Sequence, residues 1–230
     1  MRAAVDFRTD EKSVKTLEKR GIDVIKTPRL ASVYNAICGH ADIMLHKLSD
    51  DETVCEPTVY DYFAGCGCNV KCGGTKVSGE YPLDIAYNAS RVGNSLFCME
   101  KYTDEVILNY CRERGIKIIN TKQGYAKCSV CIVSENAIIT SDKNIARCAD
   151  RNGIDVLVTD DRDIILEDFE HGFIGGASGL LPGGVLAFNG NVELHGDCKR
   201  IIDFCSRYNV EVISLNDGPV VDIGSIICMP

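Results

Sequence analysis

Thirteen cysteines and four histidines carry most of the reactive chemistry in this 230-residue chain. A thiol becomes a nucleophile or a metal ligand only as its thiolate, which needs a neighbouring cation or metal. Spacing is the first test of a metal reading. Cys66-x-Cys68-x3-Cys72 and Cys128-x2-Cys131 both lack the second matching half of a zinc site. Three residues apart on a strand, Cys128 and Cys131 would point to opposite faces and share no ion. No metal and no cofactor is expected, with Cys66–Cys72 in its glycine-rich stretch as the nearest candidate. Cys38, Cys98, Cys111, Cys148 and Cys205 lie in apolar runs and read as small buried hydrophobes. The run Gly172-Phe173-Ile174-Gly175-Gly176-Ala177-Ser178-Gly179 lacks a phosphate-loop lysine and reads as a close-packed bend.

The surrounding chain narrows the partners. It has 25 Lys and Arg against 33 Asp and Glu, a net charge of −8, and no basic cluster. That balance argues against nucleic acid and anionic membrane, because phosphate binding needs grouped Lys and Arg. No apolar run approaches the roughly 18 residues of a membrane span. The N-terminal stretch MRAAVDFRTDEK carries no secretory pattern, so reduced thiols in the cytoplasm are expected. Oligomeric state is not legible.

The elements that must position these residues repeat. EKRGIDVI, RERGIKII, DRNGIDVL and SRYNVEVI each read as a helix end, a left-handed Gly or Asn, and a short strand. The junctions are Gly21, Gly115, Gly153 and Asn209, with a degenerate copy at Gly67. The intervals are 46, 48, 38 and 56 residues, a mean of 47. Twelve residues upstream of each junction stand Thr9, Cys55, Thr103, Ser141 and Asp197, the expected N-caps, of which Cys55 is the poor one. Hairpins are expected near Gly39, within 85–98, at Ser134-Glu135-Asn136 and at Asn189-Gly190. The fold class is therefore α/β: five strand–strand–helix–strand units in one domain, residues 1–230. The first unit lacks a strand, and the tail at 220–230 is expected to supply it by pairing Val220–Ile227 with Arg2–Phe7. A five-unit ring gathers element ends around one mouth. His40, Asp42 and Asp142 are candidates for it by that geometry, as is His171, each with a plain alternative as a solvated turn or strand-start residue.

Five such units around a pseudo-fivefold axis resemble the pentein, or guanidine-modifying enzyme, fold over essentially the whole chain. KQGYAKCSVCIVSENAIITSD (122–142) and HGFIGGASGLL (171–181) resemble an uncharacterised clostridial branch of that superfamily. The resemblance implies a His-x-Asp pair late in the chain, matched by His195-Gly196-Asp197, and a cysteine nucleophile near the C-terminus, matched by Cys228 in Gly224–Pro230. It also implies acids beside a Gly-Gly pair, where this chain has Ile174 and Ala177 around Gly175-Gly176. On that reading Cys228 attacks a guanidine or amidine carbon, His195 is the acid/base, and Asp197 with Asp42 or Asp142 holds the cation. The bland reading makes Cys228 a buried strand thiol, His195 a hairpin-end residue and Asp197 an N-cap. Three functions stay open: a hydrolase or transferase, a pocket that binds a small molecule without catalysis, and a protein–protein interaction protein of the same fold.

Overall fold

The computed structural model describes residues 1–229; Pro230, the last residue of the tail pattern, lies outside them. Strand β1 (Arg2–Val5) leads through helix α1 (Glu11–Lys19) to β2 (Asp23–Lys26). A single helical turn, α2 (Ala41–Met44), opens the second unit: β3 (Leu45–Lys47), β4 (Thr53–Cys55), α3 (Tyr60–Gly65) and β5 (Val70–Cys72). The third comprises β6 (Ser90–Val92), β7 (Ser95–Cys98), α4 (Glu105–Glu113) and β8 (Lys117–Asn120). Another helical turn, α5 (Ala126–Ser129), opens the fourth: β9 (Cys131–Ser134), β10 (Ala137–Thr140), α6 (Lys143–Asp150) and β11 (Asp155–Val158). The fifth comprises β12 (Ser178–Leu181), β13 (Val185–Phe188), α7 (Cys198–Ser206) and β14 (Glu211–Ser214), and β15 (Ile227–Met229) ends the chain.

These strands form five three-stranded sheets, in each of which a middle strand pairs antiparallel with an inner one and parallel with an outer one. Middle strands are buried on both sides, as Ala137–Thr140 of β10 shows, and read as unbroken apolar runs. Outer strands such as Asp155–Val158 are half exposed. Each long helix lays its apolar stripe on its own sheet; Leu17 of α1 packs with Ala3, Val5 and, from the fifth unit, Leu181 and Ala187. Inner strands β9, β12, β15 and β3 contact one another in turn.

All five junction residues adopt the left-handed backbone that ends a helix, with φ of 79° at Gly21, 74° at Gly67, 65° at Gly115, 72° at Gly153 and 56° at Asn209. Caps fall one residue later than expected in three units. Asp10, Asp104 and Asp142 accept from helix N–H groups, because a carboxylate satisfies both the open donors and the helix dipole. Asp197 precedes α7, yet its carboxylate accepts from the N–H of Asp160 instead of from the helix. The second unit is the least regular: Glu56 caps a short 3-10 turn that runs into the six-residue α3.

Two expected hairpins move. The β12–β13 turn is made by Gly183 and Gly184, both at positive φ, and Asn189-Gly190 follows the end of β13. The β3–β4 connection runs through 48–52, whereas Gly39 packs against the Asp6 carboxylate. The tail does supply the missing strand of the first sheet, with Ala3 opposite Cys228, but through Ile227–Met229 only. Gly224 and Ser225, both at positive φ, bend the chain before it can pair, and Val221 bridges Ile165 instead.

Candidate functional site

The segments just ahead of the five inner strands meet in a polar hub. Asn88 Oδ1 accepts from the backbone N–H groups of Lys127 (2.8 Å) and Cys128 (3.2 Å), and Asn88 Nδ2 donates to Cys128 Sγ at 3.1 Å. The Cys128 thiol in turn donates to Asp42 Oδ2 at 3.1 Å. Ser225 Oγ lies 2.6 Å from the same carboxylate oxygen and 2.9 Å from the Gly175 carbonyl, and it accepts from Lys127 Nζ at 3.0 Å. Backbone bonds complete the ring, Gly176 N–H to Cys128 O at 2.8 Å and Asp42 N–H to Gly224 O at 3.1 Å. Every unit thus contributes one position, two or three residues before its inner strand. Close approach requires glycine at two of the contacts. A Cβ on Gly176 would enter the Asp222 carboxylate, and one on Gly224 would enter His40. Ser225 keeps a positive φ of 66° that only such a network would hold.

On one side of the hub opens a cavity of about 250 Å³. Tyr34, Tyr125, Phe169 and Phe173 form its walls, and His40, Cys128 and Asp222 line its inner end. The walls are tied to one another: Tyr125 OH donates to Asp84 Oδ2 at 2.5 Å and lies 2.8 Å from Tyr34 OH. Asp222 is the acid that presses on the Gly175-Gly176 pair. Its carboxylate accepts from the N–H groups of Phe173 (2.9 Å) and Gly224 (3.1 Å). The expected acid positions beside that pair are core residues instead, Ile174 and Ala177, both fully buried.

Burial sets the charge states here. It pushes the Asp222 carboxyl up to about 7, helped by the neighbouring Asp42. The Asp42 carboxyl is raised by the same burial. Burial and Asp42 together hold the Cys128 thiol well above the ordinary thiol range. His40 is pushed down to about 3 by burial and by the Arg8 guanidinium, so it is a neutral imidazole. Neither His40 ring nitrogen nor Asp42 Oδ1 has a hydrogen-bond partner, although His40 is 1% and Asp42 0% exposed.

Of the sequence candidates, His40, Asp42 and His171 come to this cavity or its floor, with the His171 ring edge-on to Phe173. The others do not join them. Asp142 spends its carboxylate capping α6. Cys228 lies partway along β15 and lines a separate cavity of about 450 Å³ with His46, Lys47, Arg91 and Leu180. Burial pushes its thiol up to about 11. His195 and Asp197 lie in the turn before α7, where the Asp197 N–H donates to His195 Nδ1 at 3.0 Å and Asp197 Oδ1 accepts from Arg200. Neither lines either cavity. The motif spacing fails for a geometric reason: the strand begins at Ile227, so Ser225 is the tail residue that reaches the hub, not Cys228.

A family model matches residues 4–227. The chain belongs to that family of unknown function, DUF6873. No curated protein matches its sequence. Among solved structures, it is similar to a cysteine-to-serine mutant of DDAH from Pseudomonas aeruginosa complexed with citrulline. That match has 8% identity and a TM-score of 0.52, over 94% of this chain and 91% of that one. It is also similar to SxtG, an amidinotransferase from Microseira wollei in the saxitoxin biosynthetic pathway. Identity there is 10% and the TM-score 0.51, over 93% of this chain and 87% of that one. At such identities the likeness establishes the fold, a pentein ring.

In this DUF6873 chain the hub thiol that the sequence reading passed over is Cys128. Treating Cys128 and Cys131 as one strand pair hid it, because Cys128 ends the helical turn before β9 and only Cys131 is on the strand. Aligning the units on their inner strands would have exposed it, since Asp42, Asn88, Cys128 and Ser225 all then fall two or three residues ahead of the strand. Asp222 carried no spacing signal at all. Among the described residues, His40, Asp42 and Cys128 are the one group of His, Cys, Asp and Glu close enough to hold a metal ion, their donor atoms all within 4.8 Å of one another.

No helix among the described residues is long and apolar enough to cross a membrane.

Proposed function

We propose that the chain binds a small planar cation of the guanidine or amidine class in the aromatic-walled cavity and that Cys128 attacks it. One observation carries this reading: an imidazole, a thiol and two buried carboxyls converge beneath aromatic walls, while the nearby cations are already paired, Lys127 with Ser225 and Arg8 with Asp6. Asp42 and Asp222 supply countercharge and accept the N–H groups of the ligand, while Tyr125 and Phe173 offer π faces. Entry of a cation opposes the burial and the Asp42 charge that keep Cys128 protonated. Neutral His40 takes the thiol proton, and the sulfur bonds to the central carbon. As the adduct collapses, the carbon–nitrogen bond breaks and His40 returns the proton to the departing amine. Water then adds to the carbon, releasing a urea-type product and the free thiol. An amine in place of water makes the reaction an amidino transfer. The pentein neighbours, one an amidinotransferase and one bound to citrulline, support this substrate class. Thirteen free thiols suit a reducing cytoplasm.

Binding without turnover is the second reading. It is favoured by the 3% exposure of Cys128 and by its protonated resting state. The experiment is calorimetric titration of metal-free protein with a guanidine and amidine panel, alongside measurement of ammonia, amine and ureido product. Binding and turnover that Cys128→Ser abolishes support the enzyme. Binding alone supports the second reading, and no binding by any member overturns both.

A further inference from the structure

We propose that His40, Asp42 and Cys128 form a binding site for one divalent transition-metal ion, with Zn²⁺ the best match. The site combines an imidazole nitrogen, a carboxylate oxygen and a thiol sulfur, delivered by two different units to one point on the ring axis. This is the donor set of zinc; calcium and magnesium take oxygen ligands and do not recruit thiols.

The orphaned atoms are the second, independent observation. A buried polar group without a partner costs roughly 1–3 kcal/mol. Here three such atoms, both His40 ring nitrogens and Asp42 Oδ1, belong to the two residues whose donor atoms lie within 4.8 Å of the Cys128 sulfur. A metal uses one imidazole nitrogen and Asp42 Oδ1 at once, which no hydrogen-bond donor in the hub does. The remaining bonds look like outer support for ligands. Ser225 Oγ holds Asp42 Oδ2 and leaves Oδ1 free, and Asn88 Nδ2 holds the Cys128 sulfur. Cys128 Sγ and Asp42 Oδ2 are 3.1 Å apart, so the Asp42 carboxylate already stands beside the sulfur. Others of the three donor atoms must close by about an ångström to meet bond lengths of about 2.0–2.3 Å. Three protein ligands leave a fourth position, open to the cavity where Asp222 and the aromatic walls stand.

Binding is a proton exchange. The metal–sulfur bond forms as the Cys128 S–H bond breaks and its proton leaves to solvent; no electron moves. The metal and an amidine compete for the same sulfur. The amidine reading is tested on metal-free protein, so each idea fails by its own result.

The test is titration of the chelator-stripped full chain with Co²⁺ alone, followed by Zn²⁺. The expected result is one equivalent bound, with a thiolate-to-cobalt charge-transfer band and tetrahedral d–d bands that Zn²⁺ abolishes. His40→Gln and Cys128→Ser should each remove the bands, and Cys228→Ser should keep them. His40→Gln is decisive among thirteen thiols, because it deletes a ligand that is not sulfur. Bands that persist in His40→Gln, or no stoichiometric binding by wild type, overturn the proposal. X-ray absorption of the zinc-loaded wild type keeps the test open if a variant fails to fold. One sulfur neighbour with nitrogen and oxygen supports the site, and a shell of two or more sulfurs contradicts it.

Discussion

Two cavities flank the hub; inner-strand residues line the larger, and the smaller is lined by segments outside the strands. The larger is walled by strand residues such as Ile132, Leu180 and Ile227, and its charged groups are engaged: Lys47 with Asp50, and Arg91 with the carbonyls of Leu48 and Gly93. The smaller ends on His40, Cys128 and Asp222, with Asp42 bonded to Cys128 behind them, and burial shifts all four away from their charged forms. Two cysteines mark the contrast. The Cys228 thiol donates to the Leu180 carbonyl at 3.7 Å within an apolar cluster, while Cys128 sits between Asn88 and Asp42. The hub is built from positions just ahead of the inner strands, Asp42, Asn88, Cys128 and Ser225, whereas Cys228 lies on its strand.

The harshest way to break the comparison is to remove β15, which walls the larger cavity and completes the first sheet. Deleting residues 227–230 strips β1 of its antiparallel partner and removes the buried Ile227 and Met229 side chains. Burial of such side chains contributes roughly 1.5–3 kcal/mol each, so the loss should be about 5 kcal/mol. Chemical denaturation checks it: unfolding at markedly lower denaturant is expected.

The next effect separates the two ends by pH. Asp222 titrates near 7 in the fold against 3.8 when free. A raised folded value means stability that is fully present below 3.8 and lost as pH rises through 7. The loss should be about 4 kcal/mol from three pKa units. His40 runs the opposite way. Its folded value of about 3 against 6.5 makes its contribution present above 6.5 and lost as pH falls. The two slopes oppose each other, so the measurement is the stability of metal-free wild type minus that of Asp222→Asn across pH 4–8. That difference should fall as pH rises.

Much of the ring was legible in the sequence because helix ends obey local rules. Gly21, Gly67, Gly115, Gly153 and Asn209 announce themselves by backbone chemistry alone, and the missing first strand pointed to the tail. The hub was not legible, because its members come from five units and no spacing within a unit records which neighbours they meet. Asp222 reads as a loop residue until the tail is folded against Gly176. Cys228 and His195 matched a spacing pattern, but a bend at Gly224-Ser225 sets the strand start so that Cys228 lines the larger cavity, and His195 lines neither.

The smallest expected effect is a control for that contrast. Cys228→Ser should cost about 1 kcal/mol or less, the price of one buried hydroxyl for a thiol, and leave ligand binding in the smaller cavity unchanged. Calorimetry of the variant against a bound amidine reads both quantities, and weakened binding would move the site towards β15.

The most direct measurement is competition between two alkylating reagents of similar size, a neutral haloacetamide and a cationic haloacetamidine, with every thiol of the metal-free protein followed by mass spectrometry. The cationic reagent should modify Cys128 many-fold faster than the neutral one and faster than any other cysteine. Cys228 should show no preference. Equal rates at Cys128 with both reagents, or a cationic preference at Cys228, would contradict the assignment of the hub as the reactive end of the ring.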